Sequence, residues 1–298
     1  MTVAWLFPGQ GSQKIGMAKQ IENLPNTKER FSYASEIFQR NLFEICELDS
    51  EPTNPLIDLN NTRNTQICLF LVESILLDAL KENGFKPTYV AGHSLGEITA
   101  LYCADVFSFE DCVSLIKERS QLMVNAGKGS MAAVIGFDRN ELNLLVKKSE
   151  DVVIANDNSS SQVVLSGSNE ELENLSKEIS CKRFLKLNVS GAFHSPFMNE
   201  PSSKFSEYLI QINFHNPSFP VISNYEPSLC SDPNELKIRL EKQMCNGVRW
   251  RETMDLMAKD SDLHIVEIGP SNVLSGLGKR HLKDVKISQV SSSDQISY

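Results

Sequence analysis

Gly92, Ser94 and Gly96 lie in the stretch YVAGHSLGEI, where a short apolar run ends and a helical pattern begins. A Gly-x-Ser-x-Gly between a strand and a helix lets the chain turn sharply and holds the serine Oγ in the open, where it can act as a nucleophile. The helix behind Ser94 directs unpaired N–H groups and its positive dipole end toward any oxyanion formed there, and the N–H of Leu95 is the natural first donor. A glycine turn carrying a surface serine would contain the same three residues. The strand-turn-helix context favours the nucleophile.

Such a serine needs a general base, and the chain offers five histidines. His93 adjoins the nucleophile, but neighbouring side chains on a tight turn diverge. His215, in FHNPSFP, reads as a loop residue, while His264 in a strand and His281 near a basic helix end suit structural roles. His194, in SGAFHSPFM, follows a strand and has small neighbours that suit a tight loop at a cleft. Spacing alone leaves the base open, with His194 the first candidate. In PGQGSQ, Gly9 and Gly11 flank Gln10 after another strand, so the backbone there can approach a substrate and donate a second oxyanion N–H. It is not a dinucleotide fingerprint, because Lys14 stands where the last glycine would be needed. Arg119, in FEDCVSLIKERSQLM, reads on its own as a solvated charge on an amphipathic helix.

The elements that must position these residues alternate between strands and helices. A buried strand is expected at Val3–Phe7, with helical patterns from about Lys14 and from about Glu29, a loop over residues 49–65, and then a buried helix closed by Asn-Gly. Between about Met123 and Val189 the pattern shortens to strand, helix, strand, strand, helix, strand, the βαββαβ unit of ferredoxin-like domains. Its helices open with capping-box-like pairs, Asp138 with Glu141 and Ser168 with Glu171. Beyond Gly191, FPVISN and LHIVEIG read as strands and PNELKIRLEKQMC as a helix, and the tail SSSDQISY reads as frayed. The expected fold is α/β. A large hydrolase-like domain with a parallel sheet spans residues 1–125 and 191–298, and a small ferredoxin-like domain is inserted at 126–190.

With 298 residues and 41% hydrophobic content, the chain can build cores of this size. Its formal net charge of -9 argues against a general nucleic-acid binder. The start, MTVAWLFPGQGSQ, has no positive n-region and breaks at Pro8, so neither a signal peptide nor a membrane span is expected and the cytosol is. Seven cysteines, scattered singly at 46, 68, 103, 112, 181, 230 and 245, suit free thiols and disfavour a zinc site or disulfide framework. No metal is expected.

In chain order, FPGQGSQ, NTQ, GHSLGE, KERSQLM, GAFHS and EIGP resemble the motif series of malonyl-CoA:acyl carrier protein transacylases and the related acyltransferase domains of polyketide synthases. The resemblance spans nearly the whole chain, and that family also carries an inserted ferredoxin-like unit. It implies that Ser94 accepts the acyl group, that His194 is its base, and that the N–H groups of Gln10 and Leu95 form the oxyanion hole. It also implies that Arg119 binds the malonyl carboxylate as a bidentate pair, that Gln66 and Phe193 line the substrate site, and that Asn224 and Gln243 orient the histidine in place of an acid. Leu95 and the GAFH stretch also resemble malonyl-selective members, whereas methylmalonyl-selective ones usually differ at both places, and this chain has Gly191-Ala192-Phe193 where many members have a histidine or a valine-serine pair before the base.

The expected reaction is malonyl transfer from malonyl-CoA, through a malonyl-serine, to the phosphopantetheine thiol of acyl carrier protein, supplying fatty acid synthesis. It requires no cofactor, and a monomer is the default. Acidic carrier proteins would dock on a locally basic surface, either Lys182, Arg183 and Lys186 or Lys279, Arg280, Lys283 and Lys286. Two alternatives stand beside this reading. One is an acyltransferase serving a polyketide synthase in trans. The other is a serine hydrolase, for which Asp262 before His281 offers the needed order.

Overall fold

The computed structural model describes residues 1–48 and 54–296. Parts of the expected loop at 49–65 and of the polar tail, residues 49–53 and 297–298, lie outside the described residues. In chain order the strands are β1 (Thr2–Phe7), β2 (Tyr89–Gly92), β3 (Ser130–Phe137), β4 (Val153–Ser159), β5 (Gln162–Gly167), β6 (Cys181–Lys186), β7 (Val221–Ile222), β8 (Leu229–Cys230), β9 (Leu263–Ile268) and β10 (Lys286–Val290). They form two separate sheets.

The larger sheet runs β10-β9-β1-β2-β7-β8. Its pairings are parallel, as expected, with one addition at the edge, where the two-residue strands β7 and β8 pair antiparallel. Its central strands are buried on both faces, as parallel strands covered by helices must be. Alternate residues serve opposite sides. Trp5, Phe7, Val90 and Val266 join the core under the helices Thr62–Glu82 and Phe109–Ala126. Ala4, Leu6, Tyr89, Ala91 and Ile265 face Trp250, Met254, Leu274 and Leu277 on the other side. Helix Thr62–Glu82 is buried along nearly its whole length and is followed by Gly84 at φ 84°, as the Asn-Gly signal requires.

The smaller sheet is antiparallel, in the order β4-β5-β3-β6. Helices Arg139–Lys148 and Asn169–Glu178 cover one face through Leu142, Leu172 and Leu175. From the other face Met131, Ala133, Ala155 and Val164 enter the main core. Asp138 and Ser168 accept from the N–H groups of Glu141 and Glu171, but the reciprocal capping box belongs to Ser108 and Asp111, at the start of the helix that carries Arg119.

Several sequence expectations are corrected by packing. No α-helix forms from Lys14, because Gly16 takes φ 82° and its N–H goes to the Cys46 carbonyl. The FPVISN strand shrinks to Val221–Ile222, since Pro220 has no N–H to give and Asn224 leaves the strand for another task. The strand β10 and helices Asn199–Leu209, Trp250–Met257 and Val273–His281 carried no assigned pattern beyond a basic helix end at His281. All seven cysteines are free thiols. Among the described residues no helix is long and apolar enough to cross a membrane.

The small sheet is tied to the segment ahead of helix Trp250–Met257 along β4. Val248 donates to Ala155 O at 2.8 Å and accepts from Asp157 N at 2.9 Å, a short parallel bridge that borrows the edge of the small sheet. Asp157 then binds Arg251 and Arg139, each at 3.0 Å. A β-carbon on Gly247 would lie 2.6 Å from the Ile154 carbonyl oxygen. Gly247→Ala should therefore force this seam apart and lower the unfolding free energy by about 1–3 kcal/mol, read as a lower urea midpoint. Gly276→Ala is the control. It sits in a helix, where an added methyl meets only the tip of Arg280 at 3.7 Å, and it should leave the midpoint unchanged or higher.

Candidate active site

Strand β2 ends at Gly92, and the chain reverses into helix Gly96–Cys103 through Ser94, which adopts φ 53°. Both glycines are required by crowding. A β-carbon on Gly92 would collide with the Gly96 carbonyl, and one on Gly96 would collide with the carbonyl of Phe7 at the end of β1. Gly9 likewise lets the first loop lie against the His93 carbonyl. Asn224 clamps the turn: its Oδ1 accepts from Ser94 N at 2.7 Å and its Nδ2 donates to Gly92 O at 2.6 Å. Among the described residues, the N–H groups of Gln10 and Leu95 have no protein acceptor, and both residues line the same cleft of about 500 Å3.

His194 faces Ser94 across the join between the sheets. Its Nε2 lies 2.7 Å from Ser94 Oγ, while its Nδ1 is 2.9 Å from the main-chain oxygen of Gln243 and 3.2 Å from that of Asn246. Two carbonyls can only accept, so Nδ1 carries the proton and Nε2 is free to take one from the serine. Burial and the nearby Arg119 guanidinium push the imidazole down to about 3, so it is neutral at physiological pH. Asn246 was not foreseen as the second acceptor. Asn224, expected to orient the histidine, holds the serine's turn instead, whereas Gln243 does reach the ring through its backbone.

Arg119 is not a solvated charge. Helix Phe109–Ala126 turns it inward, where it is 1% exposed. Its Nη1 donates to Gln66 Oε1 at 2.7 Å, and its Nη2 donates to Gln243 Oε1 at 2.9 Å and approaches Ser94 Oγ at 3.2 Å. These acceptors are all uncharged, and Nε has no partner among the described residues. Burial lowers the guanidinium pKa to about 10, still well above neutrality. A buried cation thus stands beside the nucleophile with its charge balanced by no contacting anion, an arrangement suited to a carboxylate on the incoming group.

Gln66, Phe193, Met123, Met131 and Val189 complete the cleft wall. His93 turns away from the serine, with Nε2 2.9 Å from Asn158 Oδ1 and its ring against Trp250. His264 bonds Ser288, and His281 pairs with Asp255 at 2.7 Å. Asp262 binds the N-terminal ammonium at 3.2 Å, so the hydrolase order of Asp262 and His281 assembles no triad at Ser94. Glu97, fully buried behind Gln243 and Asn224, was also missed. Its signal was an acid at the head of the otherwise apolar helix GEITALYC.

Asn224→Ala would leave both the Ser94 N–H and the Gly92 carbonyl unpaired in a buried turn. It should cost about 2–4 kcal/mol of stability in urea unfolding and slow any acylation of Ser94.

The acyl transferase domain family matches residues 4–295. A malonyl CoA-acyl carrier protein transacylase of Synechocystis is 41% identical over 297 residues, covering 100% of this chain and 99% of the relative. The crystal structure of the Synechocystis malonyl-CoA:ACP transacylase superposes with a TM-score of 0.94, at 41% identity and 99% coverage of both chains. A malonyl transacylase in complex with its type II polyketide synthase acyl-carrier protein superposes with a TM-score of 0.91, at 31% identity, covering 99% of this chain and 98% of that one. With a serine, a histidine and a buried arginine meeting at the turn that its motifs marked, this chain belongs to the malonyl-CoA:acyl carrier protein transacylase family of acyl transferase domains.

Proposed function

We propose that this chain transfers a malonyl group from malonyl-CoA to the phosphopantetheine thiol of acyl carrier protein, through a malonyl ester on Ser94, in fatty acid synthesis. The observation that carries this reading is the buried Arg119 guanidinium, 3.2 Å from the serine oxygen and held by neutral acceptors. His194 Nε2 takes the Ser94 proton as Oγ bonds to the thioester carbon. The resulting oxyanion is received by the N–H groups of Gln10 and Leu95. Collapse breaks the carbon–sulfur bond, and the proton on His194 passes to the departing coenzyme A sulfur. In the second half the phosphopantetheine thiol gives its proton to His194, its sulfur attacks the ester, and Ser94 recovers the proton as it leaves.

The malonyl carboxylate would pair with Arg119 and offset the charge that depresses His194, so the correct substrate makes its own base stronger. An acetyl group leaves the guanidinium unpaired, which disfavours it by about several kcal/mol. A thiolate is a good leaving group, so a histidine held by carbonyls suffices. The chemistry calls for no cofactor, and the cytosol is the compartment inferred for it.

The strand order β4-β5-β3-β6 with its two helices supports a ferredoxin-like reading of residues 126–190, and the serine turn between β2 and its helix supports a hydrolase-like reading of 1–125 with 191–298. Of the two basic clusters, position favours Lys182, Arg183 and Lys186 for the carrier protein. They lie on the exposed edge strand β6, and the chain beyond them, Leu187 and Val189, lines the cleft. Lys286 begins β10 opposite the start of β9, at the other end of the sheet from Ser94, and Lys283 shares its surface with Asp255, Asp260 and Asp284.

Intact-mass measurement after brief mixing tests the reaction. Malonyl-CoA should add one malonyl group, Ser94→Ala should abolish it, acetyl-CoA should add little, and Arg119→Ala should erase the preference. No adduct from any thioester, with turnover of a simple ester, would favour a hydrolase. Charge reversal at Lys182, Arg183 and Lys186 should raise the KM for carrier protein about tenfold with the malonyl-CoA step unchanged, and reversal at Lys279, Arg280 and Lys283 should not.

A further inference from the structure

His194 is held by carbonyl oxygens, but a carboxylate lies one residue further back. Glu97 Oε2 accepts from Gln243 Nε2 at 2.9 Å and from Asn224 N at 3.0 Å. Gln243 in turn gives its main-chain oxygen to His194 Nδ1, its Oε1 to Arg119 Nη2, and its Nε2 also to Ser94 O at 2.8 Å. Only one orientation of that amide is tolerable. Turned over, its oxygen would face a carboxylate and a carbonyl, and its NH2 would face a guanidinium.

We propose that Glu97 is a positioning residue that acts through Gln243 and Asn224, and that its negative charge supplies at one remove what a triad acid supplies by direct contact, favouring the imidazolium on His194 as Ser94 loses its proton. The assignment rests on the acyl-transfer reading above. Asn224 carries the influence to the serine's turn, and Gln243 carries it to the base and to the arginine, so one carboxylate fixes all three parts of the site.

The groups facing Glu97 separate its titration from theirs. Burial raises its carboxyl to about 7, against the opposing effect of Gln243, Asn224 and Arg119. Arg119 loses its proton only near 10, His194 is held near 3, and burial also lowers His93. As pH falls through neutrality, Glu97 therefore gains a proton while its neighbours keep their states, and the support for the imidazolium is lost.

The test is the rate of Ser94 malonylation by malonyl-CoA between pH 5.5 and 8.5, followed by rapid quench and intact mass on the full chain. The wild type should slow as pH drops through about 7. E97Q, which keeps hydrogen-bonding capacity without charge, should be about tenfold slower at pH 8, the effect of about one unit in the basicity of His194, and flat with pH. Its KM for malonyl-CoA should stay within about twofold, and its melting temperature should not fall. E97D, which keeps the charge, should keep the neutral limb. E97Q acylating at the wild-type rate at pH 8 or retaining that limb, a loss confined to KM, or a flat profile in E97D would each overturn the assignment. A wild type that forms no malonyl adduct would instead refute acyl transfer itself, so the two failures are distinct.

Discussion

A guanidinium that is 1% exposed and 3.2 Å from a serine hydroxyl is costly to bury, and much of this core is built to accommodate it. Gln66 comes from helix Thr62–Glu82, Arg119 itself from Phe109–Ala126 and Gln243 from Pro233–Gln243, so three distant segments converge on one charge. The acceptors that meet it are neutral, while the carboxylate of Glu97 stands behind one of them. A full salt bridge would have neutralised Arg119 and removed its attraction for an anionic substrate. Amide oxygens accept from its two Nη groups and leave its charge available. The same positive field reaches His194 and lowers its basicity, so substrate recognition and base strength depend on one side chain.

Reactive geometry is held by backbone strain on both sides of the cleft. Ser94 at φ 53° and His194 at φ 56° are non-glycine residues in the left-handed region, each costing about 1–3 kcal/mol. The cost is tolerated because neighbours over-determine both turns. Around Ser94, two glycines remove the clashes and Asn224 ties the turn to β7's exit. Around His194, the Gln243 and Asn246 carbonyls fix the ring, and Ser195 Oγ bonds back to Ala192 O at 2.6 Å. The seam through Val248 and Asp157 ties the small sheet, whose residues form one wall of the cleft, to the segment that packs with Trp250 against the large one.

Much of this could be read from the residues in order. Alternation, caps and glycines are local properties, so β1, β2, the βαββαβ order and the buried helix Thr62–Glu82 followed from them, as did the serine corner. Their failures were local too. The pattern at Lys14 lost its helix to a left-handed Gly16, and FPVISN lost most of its strand to a proline and to the clamp that Asn224 makes.

What the sequence could not decide was which polar groups are buried together. Arg119 on an amphipathic helix looked solvated until other segments covered it, and Asn224 reaches a serine 130 residues away in the chain. The contact of the Asn246 carbonyl with His194, the retreat of His93 to Asn158 and the burial of Glu97 behind Gln243 have the same origin. Strand and helix propensities act over a few residues and are written into the chain. Desolvation, charge compensation and hydrogen-bond pairing depend on what packs on top, and only the closed tertiary structure fixes that.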